Sequence, residues 1–418
     1  MCRHWYRPVS ISMTYFNSMR LPALALAWMA ALLTACGGGG ESAPAIPALT
    51  NRINLTVDSG PADSGYNVNR LYADVTVCEP GGTQCQTIDH VLVDTGSTGL
   101  RLLSSAMAAG LNLSRVTGVS GFSLLSCVQF IDNTFAWGPV ATADIVLGGK
   151  RASAVPIQII ADPGFVNPPS GCSVGGTAVS TAAMFGANGI LGLGLFKEDC
   201  GPACASTTHN GFYYTCTTAS CSATAGSKAS LAQQVKNPVS LFATDNNGVM
   251  IDLPAVSATG AVSLSGSLVF GINTQANNQL GSAAVLTTDP MGDITTLFEG
   301  RSLTSSFLDT GSNGLYFDSS GIPGCVGNSI GFYCPQALTT LSATLVGANA
   351  ATRPVSFSID NAASMFANSS KTVLPTLSGT MDDLNMFDWG LPFFYGRRVF
   401  FGIEGQASTL GAGPFYAF

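Results

Sequence analysis

The chain has 418 residues, 46% of them hydrophobic and only 10% charged, with 48 glycines; such a composition excludes a disordered polyampholyte and suits packed, turn-rich β structure. Its length exceeds what one hydrophobic core usually spans, so two lobes are expected. A net charge of -7, with 17 Lys plus Arg spread thinly, supplies no basic stripe to neutralise phosphates, so nucleic acid is not an expected partner.

Residues 1–35 read as an export signal: Arg20 supplies a positive flank, and the apolar run at 21–33 suits a signal core but is too short to cross a hydrocarbon layer of about 30 Å as a helix. The segment before it, with Trp5 and Tyr6, fits a signal's positive start poorly, which opens Met13 or Met19 as alternative starts. The run ends in Leu33-Thr34-Ala35-Cys36, which resembles a bacterial lipobox, and that resemblance implies lipidation at Cys36 and a membrane anchor. Gly37 after that Cys resembles lipoproteins sorted to the outer membrane. Residues 36–51, rich in Gly, Ala and Pro, then read as a flexible to semi-extended tether.

Setting aside Cys2 and Cys36, ten cysteines remain, an even number that fits disulfides in an oxidising compartment. Close spacing makes Cys78 with Cys85 and Cys325 with Cys334 natural local loops, while the other connectivities stay open. Cys200, Cys204, Cys216 and Cys221 carry two readings, a disulfide-stapled surface insertion near 197–228 or a four-thiolate zinc site.

Past the tether, short apolar or alternating runs are separated by Gly, Asn, Asp and Pro, and strands are expected at 53–57, 69–77, 90–93, 143–147 and 157–160. Short helices are expected only at 228–235 and around 364–366. A repeat follows. Val91-Leu92-Val93-Asp94-Thr95-Gly96-Ser97-Thr98-Gly99-Leu100 is matched by Ser306-Phe307-Leu308-Asp309-Thr310-Gly311-Ser312-Asn313-Gly314-Leu315. Each copy is followed by an apolar stretch ending in Gly: Ile190-Leu191-Gly192 after the first, Phe387-Asp388-Trp389-Gly390 after the second.

One Asp-Thr-Gly would read as a turn; two, each after an apolar run and before a glycine strand, resemble the pepsin-type aspartic protease family across residues 52–418. Residues 237–242, 267–272, 391–394 and 399–403 line up with that family in the same order. The resemblance implies a mostly β, two-lobed acid protease fold, with each lobe a barrel-like sheet assembly carrying an Asp-Thr-Gly loop. It divides the chain into an N-terminal lobe at 52–275 and a C-terminal lobe at 276–418. It further implies that Asp94 and Asp309 face each other as the catalytic pair, with Thr95, Gly96, Ser97, Thr310, Gly311, Ser312, Gly192 and Gly390 in support. The expected partner is a peptide or protein substrate between the lobes of a monomer, with no cofactor and no metal.

Two opposed carboxylates cannot both ionise cheaply, so one takes a proton from water while the other protonates the carbonyl oxygen. Departures from the family pattern leave a second function open. The hairpin that should cover the cleft, 127–138, has no Tyr, which leaves Phe130 or Trp137 as flap residues. Arg101 and Leu102 stand where the family packs an aromatic, and Asp388 interrupts the second apolar strand. The alternative is therefore a pepsin-like fold with reduced catalysis that binds a peptide, glycan or envelope partner. Serine and metallohydrolase chemistry is poorly supplied: only His90 and His209 follow the signal, and no Gly-x-Ser-x-Gly elbow is present.

Overall fold

The computed structural model describes residues 51–118, 121–221, 226–408 and 411–418; the expected signal segment, Cys36 and nearly all of the tether lie outside them. Strands dominate, and side chains alternate along them as the two-residue period of a pleated strand requires. In Leu71–Cys78, the side chains of Leu71, Ala73, Val75 and Val77 enter the main core while Asp74 stays in solvent.

Two large sheets carry the molecule. In the first, Cys85–Asp94 pairs antiparallel with Leu71–Cys78 and parallel with Gly189–Leu193, which also lies antiparallel to Thr98–Leu103. The second has seven strands, in the order Thr352–Ile359, Thr339–Val346, Ile294–Phe298, Arg301–Leu308, Phe387–Trp389, Leu315–Phe317 and Ser378–Gly379. Each sheet thus runs a strand into an Asp-Thr-Gly loop and lays a later glycine-ended strand parallel to it, the mostly β, two-lobed arrangement expected from the repeat.

The chain's end stitches the lobes together. Arg397–Gly402 pairs with Gly248–Leu253 of the first sheet, Ile251 facing Val399 and Val249 facing Phe401, and then with Phe415–Ala417. The main core is accordingly continuous, with Val249 and Ile251 in one cluster with Leu391, Phe394 and Phe401. Within the second lobe the packing is aromatic: Phe387 stacks on Trp389 at 4.0 Å and on Phe317 at 4.7 Å between ring centres.

The helix at Ala362–Phe366 forms with Asn361 as its cap, the side chain accepting from the Ser364 N–H. Residues 228–235 form a turn instead of the expected helix. The physical reason lies in competing partners: the Ala229 N–H donates to the Cys204 carbonyl, and the Gln234 side chain bridges the Gly201 and Ala229 carbonyls.

All ten cysteines of the described chain form disulfides: Cys78–Cys85, Cys127–Cys172, Cys200–Cys204, Cys216–Cys221 and Cys325–Cys334. The zinc alternative for the insertion is thereby replaced, because its four sulfurs are consumed as two bridges. Five disulfides mark the chain as exported to an oxidising compartment. Among the described residues no helix is long and apolar enough to cross a membrane.

Candidate active site

Asp94 ends the strand Cys85–Asp94, and Asp309 follows the strand Arg301–Leu308; both carboxylates are completely buried. The two loops meet at their tips. The Gly96 N–H donates to Asp94 Oδ1 at 2.9 Å and to Asp309 Oδ1 at 3.0 Å, so one amide bridges both carboxylates. The Gly311 N–H donates to Asp309 Oδ1 at 2.7 Å. The second oxygens take hydroxyls: Ser97 Oγ donates to Asp94 Oδ2 at 2.5 Å, and Ser312 Oγ lies 2.7 Å from Asp309 Oδ2.

The threonines brace the loops symmetrically. The Thr95 N–H donates to Thr310 Oγ1 at 3.2 Å and the Thr310 N–H to Thr95 Oγ1 at 2.9 Å. Each hydroxyl then donates across the lobes, Thr95 to the Leu308 carbonyl at 3.3 Å and Thr310 to the Val93 carbonyl at 2.7 Å. Four buried hydrogen bonds therefore fix the separation of the two carboxylates, which is the orientation that acid–base chemistry between them needs.

Glycine is required where a strand passes behind each loop. A Cβ on Gly192 would stand 2.7 Å from the Gly99 nitrogen, and one on Gly390 only 2.0 Å from the Gly314 carbonyl oxygen. Both contacts are with backbone, which cannot swing aside. Gly192 pairs with Asp94 itself in the parallel register.

Burial raises the pKa of both carboxyls. For Asp309 the shift is the greater, because the charges of Asp94 and Asp388 add to desolvation. Hydrogen bonds from Ser97, Asp309 and the Gly96 amide oppose the rise at Asp94. The two carboxyls therefore titrate as one coupled pair that keeps a proton above the ordinary carboxylate range.

Asp388 does not interrupt its strand. It lies within Phe387–Trp389, pairs in register with Phe307, and is completely buried, its Oδ2 2.6 Å from Ser312 Oγ. A hydroxyl carries a single proton, so Ser312 can donate to only one of the two carboxyls and the other must be protonated. A third buried acid joined to the Asp309 side is a feature that the sequence pattern presented only as a break.

The hairpin expected over the cleft forms from Ser123–Gln129 and Thr134–Leu147. The rings of Phe130 and Trp137 pack inside the first lobe. Phe130 stacks on Phe185 at 6.4 Å, and Trp137 donates its Nε1–H to the Phe165 carbonyl at 2.8 Å and lies edge-on to Tyr214. The turn residue that reaches across is Ile131, which packs against the second lobe's cluster of Tyr316, Phe332 and Leu377. Arg101, also unlike the family pattern, is buried with its guanidinium 2.8 Å from Asp199 and 2.6 Å from the Gln158 side-chain oxygen. His90 is half-buried between Asp58 and Asp89, four residues before Asp94 on the same strand.

Comparison with known proteins yields three findings. Among solved structures, the aspartic proteinase from Irpex lacteus is similar at 15% identity, over 88% of this chain and 96% of that chain, with a TM-score of 0.48. No curated protein sequence matches. Residues 47–418 match the family described as protein of unknown function, DUF3443, and the chain belongs to that family.

Proposed function

We propose that the chain is an aspartic endopeptidase, anchored to the cell envelope by a lipid on Cys36 and hydrolysing peptide bonds between its lobes with water activated by Asp94 and Asp309. The observation that carries this reading is the Gly96 amide shared between the two carboxylates, which are buried and braced together by Thr95 and Thr310. In the proposed reaction, Asp94, ionised, takes a proton from the attacking water as the oxygen adds to the peptide carbonyl. Asp309, protonated, gives its proton to the carbonyl oxygen. Collapse of the resulting gem-diol returns a proton to the Asp309 side and passes the one held by Asp94 to the leaving nitrogen, which restores the starting state.

Gly96, Ser97, Gly311 and Ser312 hold the carboxyl planes, and Gly192 and Gly390 let the supporting strands pass behind them. The substrate cleft is assigned to the space between an N-terminal lobe of 52–275 and a C-terminal lobe of 276–418 in a monomer, with the lipid in the outer membrane. A second reading, a peptide-binding module with reduced catalysis, is favoured by the hairpin's lack of a Tyr and by Ile131 resting on the second lobe.

The deciding experiment digests denatured casein with the full-length protein in detergent from pH 3 to 7, beside Asp94→Asn and Asp309→Asn. Loss of cutting by about a hundredfold or more in each folded variant is expected of an acid–base pair. A folded wild type that neither cuts nor binds a statine-containing peptide leaves only the binding module.

A further inference from the structure

Arg70 precedes the strand Leu71–Cys78 and keeps only 8% of its surface exposed. Its Nη1 is enclosed and has no hydrogen-bond partner, and no carboxylate among the described residues comes within ion-pair distance of its guanidinium. An arginine does not deprotonate in proteins, and an enclosed charge is costly without a partner. The other enclosed arginine of this lobe, Arg101, is met by Asp199, Gln158 and Ser126.

The position of Arg70 is fixed from the Asp309 side. Its neighbour Asn69, held at a positive φ of 50°, donates through Nδ2 to the Asn313 carbonyl at 2.8 Å and to the Leu374 carbonyl at 2.8 Å, and accepts from the Leu374 N–H. Asn313 follows Ser312 directly, so the Arg70 backbone is tied to the loop that carries Asp309. The hairpin turn brings Ile131 against the cluster that contains Tyr316, whose hydroxyl bonds to the Asn313 side chain. Arg70 exerts its field on Asp132 of that turn and on Tyr316. Asp132 spends one oxygen on the N–H and hydroxyl of Thr134.

We propose that Arg70 is an anion subsite of the cleft, which takes a carboxylate of the bound peptide beside the Asp309 loop. This rests on the peptide-cleft reading above. A planar guanidinium receives a carboxylate through two parallel N–H bonds, and a peptide offers that group on an Asp or Glu side chain or at its C-terminus. Arg70 is on this view a specificity residue, not a member of the proton-sharing pair.

The test walks one Glu, against Gln at the same place, along an otherwise uncharged ten-residue peptide, with its C-terminus either amidated or free. Cleavage by full-length wild type, Arg70→Gln and Arg70→Lys is compared. At one position wild type prefers Glu over Gln in kcat/KM by about tenfold or more, as charge-assisted bonds allow; Arg70→Gln brings that ratio close to one and Arg70→Lys restores part of it. A preference seen only with the free C-terminus assigns the subsite to the chain end. A flat ratio in wild type overturns the proposal, as does an Arg70→Gln protein that loses both peptides equally, which would make Arg70 a latch for Asp132. Binding of the same peptides, fluorescein-labelled, to Asp94→Asn by anisotropy separates the two readings. A Glu preference that depends on Arg70 in a protein that never cuts keeps the subsite and sinks the endopeptidase. Cutting with no Glu preference in either assay does the reverse.

Discussion

Thr95 and Thr310 exchange backbone-to-hydroxyl bonds across the two lobes, and each hydroxyl donates onward to the strand that presents the other's aspartate. Replacing either with Val keeps the shape but removes an acceptor for one buried amide and a donor for one buried carbonyl. Each single change is expected to cost about 1–3 kcal/mol. The two changes remove different pairs of bonds, but the residues are in contact, so the double change should cost less than the sum if losing one pair already loosens the other. Urea unfolding of the four proteins measures this; strict additivity would show that the brace does not act as a unit.

Asp309 has its pKa raised by burial and by the nearby charges of Asp94 and Asp388, which sets the sign of a stability effect. The folded protein retains a proton that the unfolded chain releases, so stability present below the ordinary carboxylate pKa declines as pH rises toward the folded value. Asp309→Asn removes that decline. The variant should melt higher than wild type at pH 7, by about 2–4 °C per kcal/mol relieved, with the gap closing on acidification to pH 3. Melting curves in which the gap ignores pH contradict this assignment.

Asp388 adds to the same shift, after desolvation and Asp94. Asp388→Asn keeps a polar group beside Ser312 but removes the charge, so Asp309 should release its proton at lower pH. In a pH–rate profile the alkaline limb moves toward acid while the acid limb, set by Asp94, moves less. An unshifted alkaline limb would show that Asp388 is already neutral and serves only to hold Ser312.

Arg101 and Asp199 form an ion pair in which each side chain is 1% exposed. Asp199→Ala takes the carboxylate from a buried guanidinium and is expected to destabilise the protein by about 3–5 kcal/mol. Replacing Arg101 by Met together with Asp199→Ala should recover much of that loss. Denaturant midpoints decide it, and a single variant as stable as wild type would mean that the charge finds water.

Legibility from the sequence differed by kind of interaction. The Asp-Thr-Gly repeat and its glycine strands were readable because backbone approach demands glycine at contiguous positions, as the 2.0 Å contact behind Gly390 shows. The Arg101–Asp199 pair and the Ser312–Asp388 contact were not, since their partners lie 98 and 76 residues apart and only the folded topology brings them together. Asp388 looked like a break because an acid in an apolar run carries no mark of the hydroxyl that will meet it. Phe130 and Trp137 stand out because the hairpin has no Tyr, but which side of a hairpin faces the cleft depends on what packs behind it. The 228–235 segment had helical composition, and side-chain bridges from Gln234 outweighed it.

The strand Arg397–Gly402 lies between Gly248–Leu253 and Phe415–Ala417. Without Arg397–Gly402, Gly248–Leu253 has one bare edge, and Phe401 is missing from the main core on one face and Phe400 from the cluster with Met250 on the other. A truncation before residue 397 is therefore expected to leave an unpaired, aggregation-prone edge on Gly248–Leu253.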